Sequence, residues 1–315
     1  MSPLHARAIG RYVASVRRAL AVFASCTAVL LVGCGSGKKA GVSERSSRGA
    51  DPFSQLLPLG DGNVTSTGAA KGQVFSCVAT FNGGGASANG DWIHGQQWDP
   101  LKKLHVAGDV SWPTASVSIA PRGTSRVITS NDLPDHTTGV FPIQATDPAY
   151  AIDRNPNSIR SQTESFELPL SPAAAPSPTC TSLGPVGIMT NGVLLFNALD
   201  AGGRDAVAHE VQDACDGHPQ LQGAYHYHGY SPCAKSKSAD TVIGYALDGF
   251  GVTGPQKSDG SFLKTADLDA CHGTTGQITW DGATVTMYHY VMTADYPYSI
   301  GCFKGTPVRT GQGHP

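Results

Sequence analysis

The stretch from Tyr225 to His228 alternates phenol and imidazole rings, and it constrains the fold more than any other stretch. Successive side chains of an extended strand point to opposite faces, so a strand here places His226 and His228 on one face, about 7 Å apart. Residues i and i+2 of a helix do not face each other. The alternation therefore predicts a β-strand that presents two imidazoles to one side, where they can bind one metal ion.

Most of this pattern occurs twice along the chain, in the same order. In both places an Asp-Ala-Cys-x-Gly segment comes first, a Tyr-His-Tyr stretch follows, and a cysteine comes last. The first copy comprises Asp213 to Gly217, Tyr225 to Tyr227 and Cys233; the second comprises Asp269 to Gly273, Tyr288 to Tyr290 and Cys302. The second copy has Val291 at the place of His228. We interpret the pattern as an internal duplication.

The amino terminus has the features of an export signal. Four arginines and no acidic residue precede the apolar run Ala19 to Leu31, which is short for a membrane span. The run ends in Leu-Val-Gly-Cys at Cys34, which resembles a bacterial lipobox. We therefore expect residues 1–33 to be a lipoprotein signal peptide and Cys34 to carry the lipid. An ordinary signal peptide that contains Cys34 is the alternative. Gly35 favours the outer membrane or cell surface of the envelope.

The cysteines are consistent with an oxidising compartment. Cys26 leaves with the signal and Cys34 is the lipidation candidate, so six cysteines remain in the body of the chain: Cys77, Cys180, Cys215, Cys233, Cys271 and Cys302. An even number in an exported chain predicts three disulfides. The repeat favours Cys215–Cys233 and Cys271–Cys302, which leaves Cys77–Cys180. An exchange of partners between the two copies stays open.

Charge restricts the class of partner. Removing the four signal arginines from 22 basic residues leaves 18 against 24 acidic residues, a net charge of −6 with histidine neutral. Without a basic patch, we expect no nucleic-acid partner. The partners that remain are the membrane through the lipid anchor, and a metal ion, small molecule or glycan.

The rest of the chain predicts a tether followed by one domain. Residues 34–72 are rich in Gly, Ser and Lys and predict a flexible tether, in which the apolar knot Leu56 to Leu59 is a candidate docking segment. Residues 73–310 form the domain. The proline-rich stretch 168–179 is an extended linker or loop and a candidate sub-boundary.

Short strand-like runs separated by Gly, Pro and Asn turns predict a mainly β domain. The hairpin signal is strongest from Ile188 to Phe196, around Asn191-Gly192. Asp205 to Gln212 is the single helix candidate, with Asp205 as its N-cap. The fold class is therefore mainly β, sandwich-like or α+β with few short helices, tied by disulfides and containing a pseudo-repeat.

These motifs together resemble the YHYH-domain family of exported proteins. The resemblance covers roughly residues 90 to 305 and implies export, but it names no reaction. At Gly251-Val252-Thr253-Gly254 this chain departs from the Pro-Ile-Tyr-Gly of many members. The resemblance is carried by Leu133 to Gly139, Asn155 to Asn157, Asp213 to Pro219, Tyr225 to His228, Ile243 to Phe250, Leu268 to Cys271 and Tyr296 to Phe303.

A divalent metal site is the sharpest functional hypothesis. His226 and His228 are its centre, His289 holds the matching place in the second copy, and His218 lies in the lead-in. Asp248 or Asp269 is the candidate oxygen ligand. Imidazoles with an optional carboxylate suit Zn²⁺ or Cu²⁺.

Three other interpretations stay open. The alternating rings also suit a half-buried strand whose polar tips are hydrogen-bonded, which is a purely structural role. A hydrolase can use His226 or His228 as a general base oriented by Asp213, Asp248 or Asp269, although no sequence element marks a nucleophile. A glycan- or ligand-binding surface built on Trp92, Trp98 and Trp112 is the third, and core positions are the ordinary place for tryptophan.

Overall fold

The computed structural model describes residues 51–309. The signal peptide, Cys34 and the first part of the tether lie outside these residues. The described chain contains one short α-helix, α1 (Ala206–His209), and three 3₁₀ turns at Pro52–Ser54, Pro148–Ala151 and Thr265–Asp267. Its strands are β1 (Leu57–Pro58), β2 (Val64–Thr65), β3 (Val74–Phe75), β4 (Ile93–His94), β5 (Gln97–Trp98), β6 (Val117–Arg122), β7 (Ser125–Ser130), β8 (Glu164–Pro169), β9 (Ala174–Thr179), β10 (Pro185–Met189), β11 (Leu194–Phe196), β12 (Gly217–Pro219), β13 (Tyr225–Tyr227), β14 (Val242–Ala246), β15 (Gly251–Thr253), β16 (Gly273–Trp280), β17 (Ala283–Val291) and β18 (Phe303–Gly305).

An eight-stranded sheet forms the centre of the domain, in the order β12-β13-β11-β10-β14-β15-β17-β16. The predicted mainly β class is confirmed. The hairpin β10–β11 turns at Asn191-Gly192, where Gly192 has φ +91°, a conformation that glycine adopts at little cost. Asp205 caps α1 by accepting the Ala208 N–H, as its sequence position predicts. The helix ends at His209, earlier than expected.

The two halves of this sheet pair their strands in the same way. In the first half β10 and β11 are antiparallel, β11 and β13 are parallel, and β13 pairs antiparallel with β12. In the second half β14, β15, β17 and β16 repeat these relations in the same order. Central strands β10 and β14 join the halves antiparallel. These pairings favour the duplication hypothesis, which remains a prediction.

Three disulfides tie this sheet to its surroundings: Cys77–Cys180, Cys215–Cys233 and Cys271–Cys302. This is the pairing that the repeat favours, and the exchange between copies is excluded. Cys215–Cys233 encloses the hairpin β12–β13, and Cys271–Cys302 encloses β16–β17. Each half of the sheet therefore carries its outer hairpin inside a covalent loop.

Two stretches taken from the sequence as loops are part of the fold. Residues 51–72, assigned to the tether, include β1 and β2, and Leu57 and Leu59 are buried in a cluster with Trp98. The apolar knot thus docks on the domain. The proline-rich stretch 168–179 ends β8 and contains β9, which pairs with β18 and connects to no separate domain. Proline is tolerated there because β9 has only one strand neighbour.

No helix among residues 51–309 is long and apolar enough to cross a membrane.

A three-stranded sheet, β6-β7-β8, shares its apolar core with the eight-stranded sheet and also contacts it through one arginine. Arg126 on β7 is 3% exposed and donates two hydrogen bonds to Asp281, at 2.8 and 2.9 Å. Its guanidinium lies over the rings of Tyr245 and Trp280, at 4.4 and 4.7 Å from the ring centroids. A planar fork that also stacks is a geometry that lysine does not reproduce.

We expect Arg126→Lys to lower the free energy of unfolding by about 2–3 kcal/mol, because the bidentate and stacking contacts are lost. The matched control is Arg122→Lys in the same hairpin, whose pair with Glu167 is exposed on both sides and whose change is worth about 0.5 kcal/mol or less. Urea unfolding followed by circular dichroism measures both. Equal losses in the two variants would contradict the assigned role of Arg126.

Candidate metal centre

Three imidazoles converge on one face of the hairpin β12–β13. His218 on β12 is the direct cross-strand partner of His226 on β13, and His228 follows two residues later on the same face. The ring centroids of His226 and His228 are 4.9 Å apart. This is shorter than the spacing of about 7 Å that the rise of a strand gives to the backbones of residues i and i+2. The His218 and His226 centroids are 4.5 Å apart. The nitrogen atoms that the three rings offer all lie within 4.8 Å of one another.

Glu210 completes this group from the end of α1. Its Oε2 lies 3.5 Å from Nε2 of His228 and 3.6 Å from Nε2 of His218. The Nε2 atoms of His226 and His228 are 3.1 Å apart. Ligand atoms at 2.0–2.2 Å from a tetrahedral zinc ion are separated by about 3.3–3.6 Å. The two distances from Glu210 match that spacing, and the distance between His226 and His228 is slightly shorter.

Backbone carbonyls hold the imidazoles in the orientation that a metal needs. Nδ1 of His228 hydrogen-bonds the carbonyl oxygen of Asn197, and Nδ1 of His226 lies 3.3 Å from that of Ala224. A carbonyl oxygen only accepts, so both rings carry their proton on Nδ1. Their Nε2 lone pairs then point towards each other. Such carbonyl partners are the usual outer shell of metal-bound histidine.

The cluster is buried, and burial favours the neutral form of two of its imidazoles. His218, His226 and His228 are each 3% exposed. Burial lowers the pKa of His228 to about 4 and, with the two neighbouring imidazoles, lowers the pKa of His218 well below its usual value. Neutral imidazole is the form that coordinates a metal. Burial, followed by Asp200 and Asp153, raises the pKa of Glu210.

Several polar atoms of this group are orphaned. Both ring nitrogens of His218 and Oε2 of Glu210 are buried and have no hydrogen-bond partner within residues 51–309. Buried polar groups of native proteins are almost always paired, and an ion is one of the recognised explanations of an exception. The donor set of three neutral imidazoles and one carboxylate fits Zn²⁺ or Cu²⁺.

The parallel pairing of β11 with β13 brings Phe196 against the cluster. Its ring stacks on His226 with centroids 4.0 Å apart and an interplanar angle of 24°. The Asn197 carbonyl that orients His228 comes from the next residue of the same segment. β11 therefore supplies both an apolar wall and a hydrogen-bond acceptor.

The tyrosines on the opposite face anchor the hairpin. The Tyr225 hydroxyl donates to Asp213, with both carboxylate oxygens at 2.9 Å, and the same carboxylate accepts the N–H groups of Cys215, Gly217 and Gly139. Tyr227 bonds Asn191 and His136 through its hydroxyl. The phenols thus position the strand and face away from the cluster. The second copy repeats the arrangement, since Asp269 accepts the N–H groups of Cys271 and Gly273 and the Tyr288 hydroxyl.

His289 and Asp248 lie outside the cluster, as does Asp269, whose carboxylate accepts the groups described above. His289 is buried on β17 with its Nδ1 3.2 Å from the Met287 carbonyl oxygen, and its cross-strand partner is Thr274, where the first copy has His218. Asp248 uses its carboxylate to accept the Tyr290 hydroxyl at 2.6 Å and the Gly305 N–H at 2.8 Å. Among the described residues, none of these three belongs to a group able to hold a metal.

Glu210 is the residue that the sequence reasoning missed. It is one of only four glutamates in the chain, and it lies three residues before the first Asp-Ala-Cys segment. The rarity of glutamate and the short distance to this segment were the signals that could have indicated Glu210 as a ligand. The second copy has Ala266 at the equivalent position, so a comparison of the two copies does not favour Glu210.

The contacts and burial of other candidate residues do not support a metal site or a glycan-binding surface. His136, Cys215 and Cys233 lie close together, but the two cysteines share a disulfide and offer no thiolate. Trp92 and Trp98 are 2% and 3% exposed, and Trp92 donates to the Ala208 carbonyl, so neither presents a ring to a glycan. Trp112 is half-buried.

A cleft of about 530 Å³ opens over the cluster. His218, His226, His228 and Glu210 contribute to its wall, so a bound ion is reachable from solvent. The wall is completed by apolar side chains and by polar ones: Leu183, Phe196, Leu199, Pro219 and Leu221, with Asp153, Arg154, Asn155, Asn157, Asp200, Gln220 and Gln222.

Comparison with known proteins gives one match. Residues 165–259 match the family model described as YHYH protein. The matched region runs from β8 beyond β15 and contains all four residues of the cluster. It is narrower than the 90–305 region in which the sequence motifs occur. No curated protein and no solved structure matches the chain.

We expect Asp213→Asn to displace the imidazoles, because an amide cannot accept all the hydrogen bonds that this carboxylate does, and to cost about 1–3 kcal/mol of stability. The ¹⁵N chemical shifts of the His218 and His226 rings report the displacement. Asp269→Asn is the matched control, since it removes the same contacts from the second copy. It should cost stability and leave those shifts in place. Equal shift changes in both variants would contradict the positioning role of Asp213.

Proposed function

We propose that this chain, which belongs to the YHYH protein family through residues 165–259, is a lipid-anchored protein of the cell envelope that binds a divalent transition metal ion. The ligands are His218, His226, His228 and Glu210, and the ion is Zn²⁺ or Cu²⁺. The anchor is Cys34, by the lipobox resemblance of the export signal.

One observation carries the metal proposal. Nε2 of His226 and Nε2 of His228 are 3.1 Å apart while both Nδ1 atoms face carbonyl oxygens. Two lone pairs at that distance repel unless a cation lies between them. The orphaned atoms of His218 and Glu210 lie at the same point. A divalent ion satisfies the orphaned atoms of His218 and Glu210 together, whereas a purely structural role leaves those atoms unpaired.

The protein's contribution is to hold the imidazoles in place. Phe196 and the carbonyl oxygens of Asn197 and Ala224 set the ring orientations, and burial keeps His218 and His228 neutral. What a bound ion supplies is a Lewis acid at the floor of the cleft. The cleft admits a ligand to that point, so metal-assisted hydrolysis is the second candidate function. The buried Trp92 and Trp98 give a glycan-binding platform no comparable support.

Elemental analysis of the full chain in detergent tests the proposal. After removal of metal by a chelator and controlled reloading, we expect close to one ion per chain. The His226→Ala/His228→Ala double variant should lose more than about 100-fold in affinity while circular dichroism shows the fold retained, because half of the ligands are gone.

His289→Ala is the matched control, since His289 holds the place of His226 in the second copy and lies outside the cluster. It should keep the ion. Wild-type protein that takes up no metal on reloading, or a double variant that binds as tightly as wild type, would overturn the metal proposal.

Glu210→Gln replaces the carboxylate by an amide and keeps the size of the side chain. We expect metal affinity to fall about 10- to 100-fold, while the metal-free protein becomes no less stable, because the amide matches the uncharged form that burial favours for the Glu210 carboxyl. Glu167→Gln is the control, since the Glu167 side chain is 59% exposed and pairs with Arg122 on the three-stranded sheet. Isothermal titration with Zn²⁺ and thermal unfolding measure the two effects. Unchanged affinity in Glu210→Gln would remove Glu210 from the ligand set.

A further inference from the structure

A second cavity, of about 370 Å³, shares no lining residue with the histidine cleft. Four aromatic rings form much of its wall: Phe53, Trp98, Tyr230 and Tyr298. Leu57, Val207 and two prolines add apolar surface. A cavity with such walls suits an apolar or aromatic ligand group.

Two lysines line this cavity, and of these the Lys237 side chain is 40% exposed and pairs with Asp51. Lys103 is 6% exposed, and its Nζ is 5.9 Å from the centroid of the Trp98 ring. Nζ donates to the carbonyl oxygen of Val207 and to Oε1 of Gln212. Both acceptors are neutral. None of the ion pairs that lysines form within residues 51–309 involves Lys103.

These contacts are those of an uncharged amine. A neutral amine has two N–H groups and one lone pair, and two carbonyl oxygens take up both N–H groups. A buried ammonium, by contrast, needs a carboxylate close by to offset its loss of hydration. Burial lowers the pKa of Lys103, and this outweighs the opposing effects of Asp216, which lines the same cavity, and of Asp205, Glu210 and Asp153. A desolvated lysine of this kind is a nucleophile towards carbonyl compounds.

We propose that Lys103 captures an apolar or aromatic aldehyde or ketone in this cavity as an imine, independently of the metal site. The lone pair of Nζ attacks the carbonyl carbon and forms a carbinolamine, and the carbonyl oxygen becomes a hydroxyl group. Loss of that hydroxyl as water leaves the C=N bond, so one carbonyl compound and one amine give one imine and one water.

His105 lines the same cavity and is placed to carry the proton. Its Nδ1 lies 2.9 Å from the Asp213 carbonyl oxygen, which leaves the lone pair on Nε2. The imidazole takes the proton that the nitrogen releases and returns it to the departing hydroxyl group. When the imine is protonated, its remaining N–H keeps one of the two carbonyl acceptors of Lys103.

Reductive trapping of the full chain in detergent tests the proposal. The protein is treated with benzaldehyde and sodium cyanoborohydride at neutral pH, and modified lysines are mapped by mass spectrometry of peptides. We expect Lys103 to be benzylated at least about tenfold faster than Lys102, because its amine lies in the apolar cavity that holds the aldehyde and burial lowers its pKa. Lys102 is the matched control, since it is the preceding residue and its side chain is 67% exposed.

Two variants complete the test. Lys103→Met should abolish the fast modification, and Lys102→Met should leave it intact. Were Lys103→Met unable to fold, the wild-type map would still decide, since both lysines are compared in one chain. Modification of Lys103 at or below the rate of Lys102 in folded protein would overturn the proposal.

Discussion

The hydrogen bonds of one buried carboxylate organise the hairpin that carries the histidine cluster. Asp213 receives the N–H groups of the turn that begins β12 and the hydroxyl of Tyr225 on β13, so it fixes one strand of the hairpin against the other. Since β-strands alternate their faces, a phenol held on one side sets the imidazoles on the other. The geometry of the histidine cluster depends on this anchor and on the Cys215–Cys233 disulfide around it.

The two halves of the sheet share their anchoring contacts but differ in the side chains that they present. Asp269 anchors β16 and β17 through equivalent contacts, but Thr274 and Val291 stand where the first half has His218 and His228. The second half keeps the strand pairing and one buried histidine. Its side chains are satisfied by their neighbours, whereas those of the first half leave nitrogen and oxygen atoms unpaired. The unpaired atoms, and not the strand pairing, distinguish the candidate site in the first half from the equivalent strands of the second half.

Features governed by local rules could be predicted from the sequence, whereas features that depend on tertiary packing could not. Alternation placed His226 and His228 on one face, Asn191-Gly192 predicted its hairpin, and the repeated cysteines favoured the observed disulfides. Glu210 reaches the cluster only through the path of the chain from α1 to β12, which no periodicity reports. Residues 168–179 were predicted to be a linker because proline is rare in strands, yet an edge position removes that penalty. Leu57 and Leu59 fold back because their apolar surface finds a partner in Trp98.

X-ray absorption spectroscopy of the metal-reloaded protein identifies the ligand atoms of the proposed centre themselves. We expect nitrogen and oxygen neighbours at about 2.0–2.2 Å, with the outer-shell scattering of three imidazole rings and none from sulfur. The His226→Ala/His228→Ala variant should lose that imidazole signal. Scattering from sulfur, or from oxygen alone, would contradict a centre built on His218, His226, His228 and Glu210.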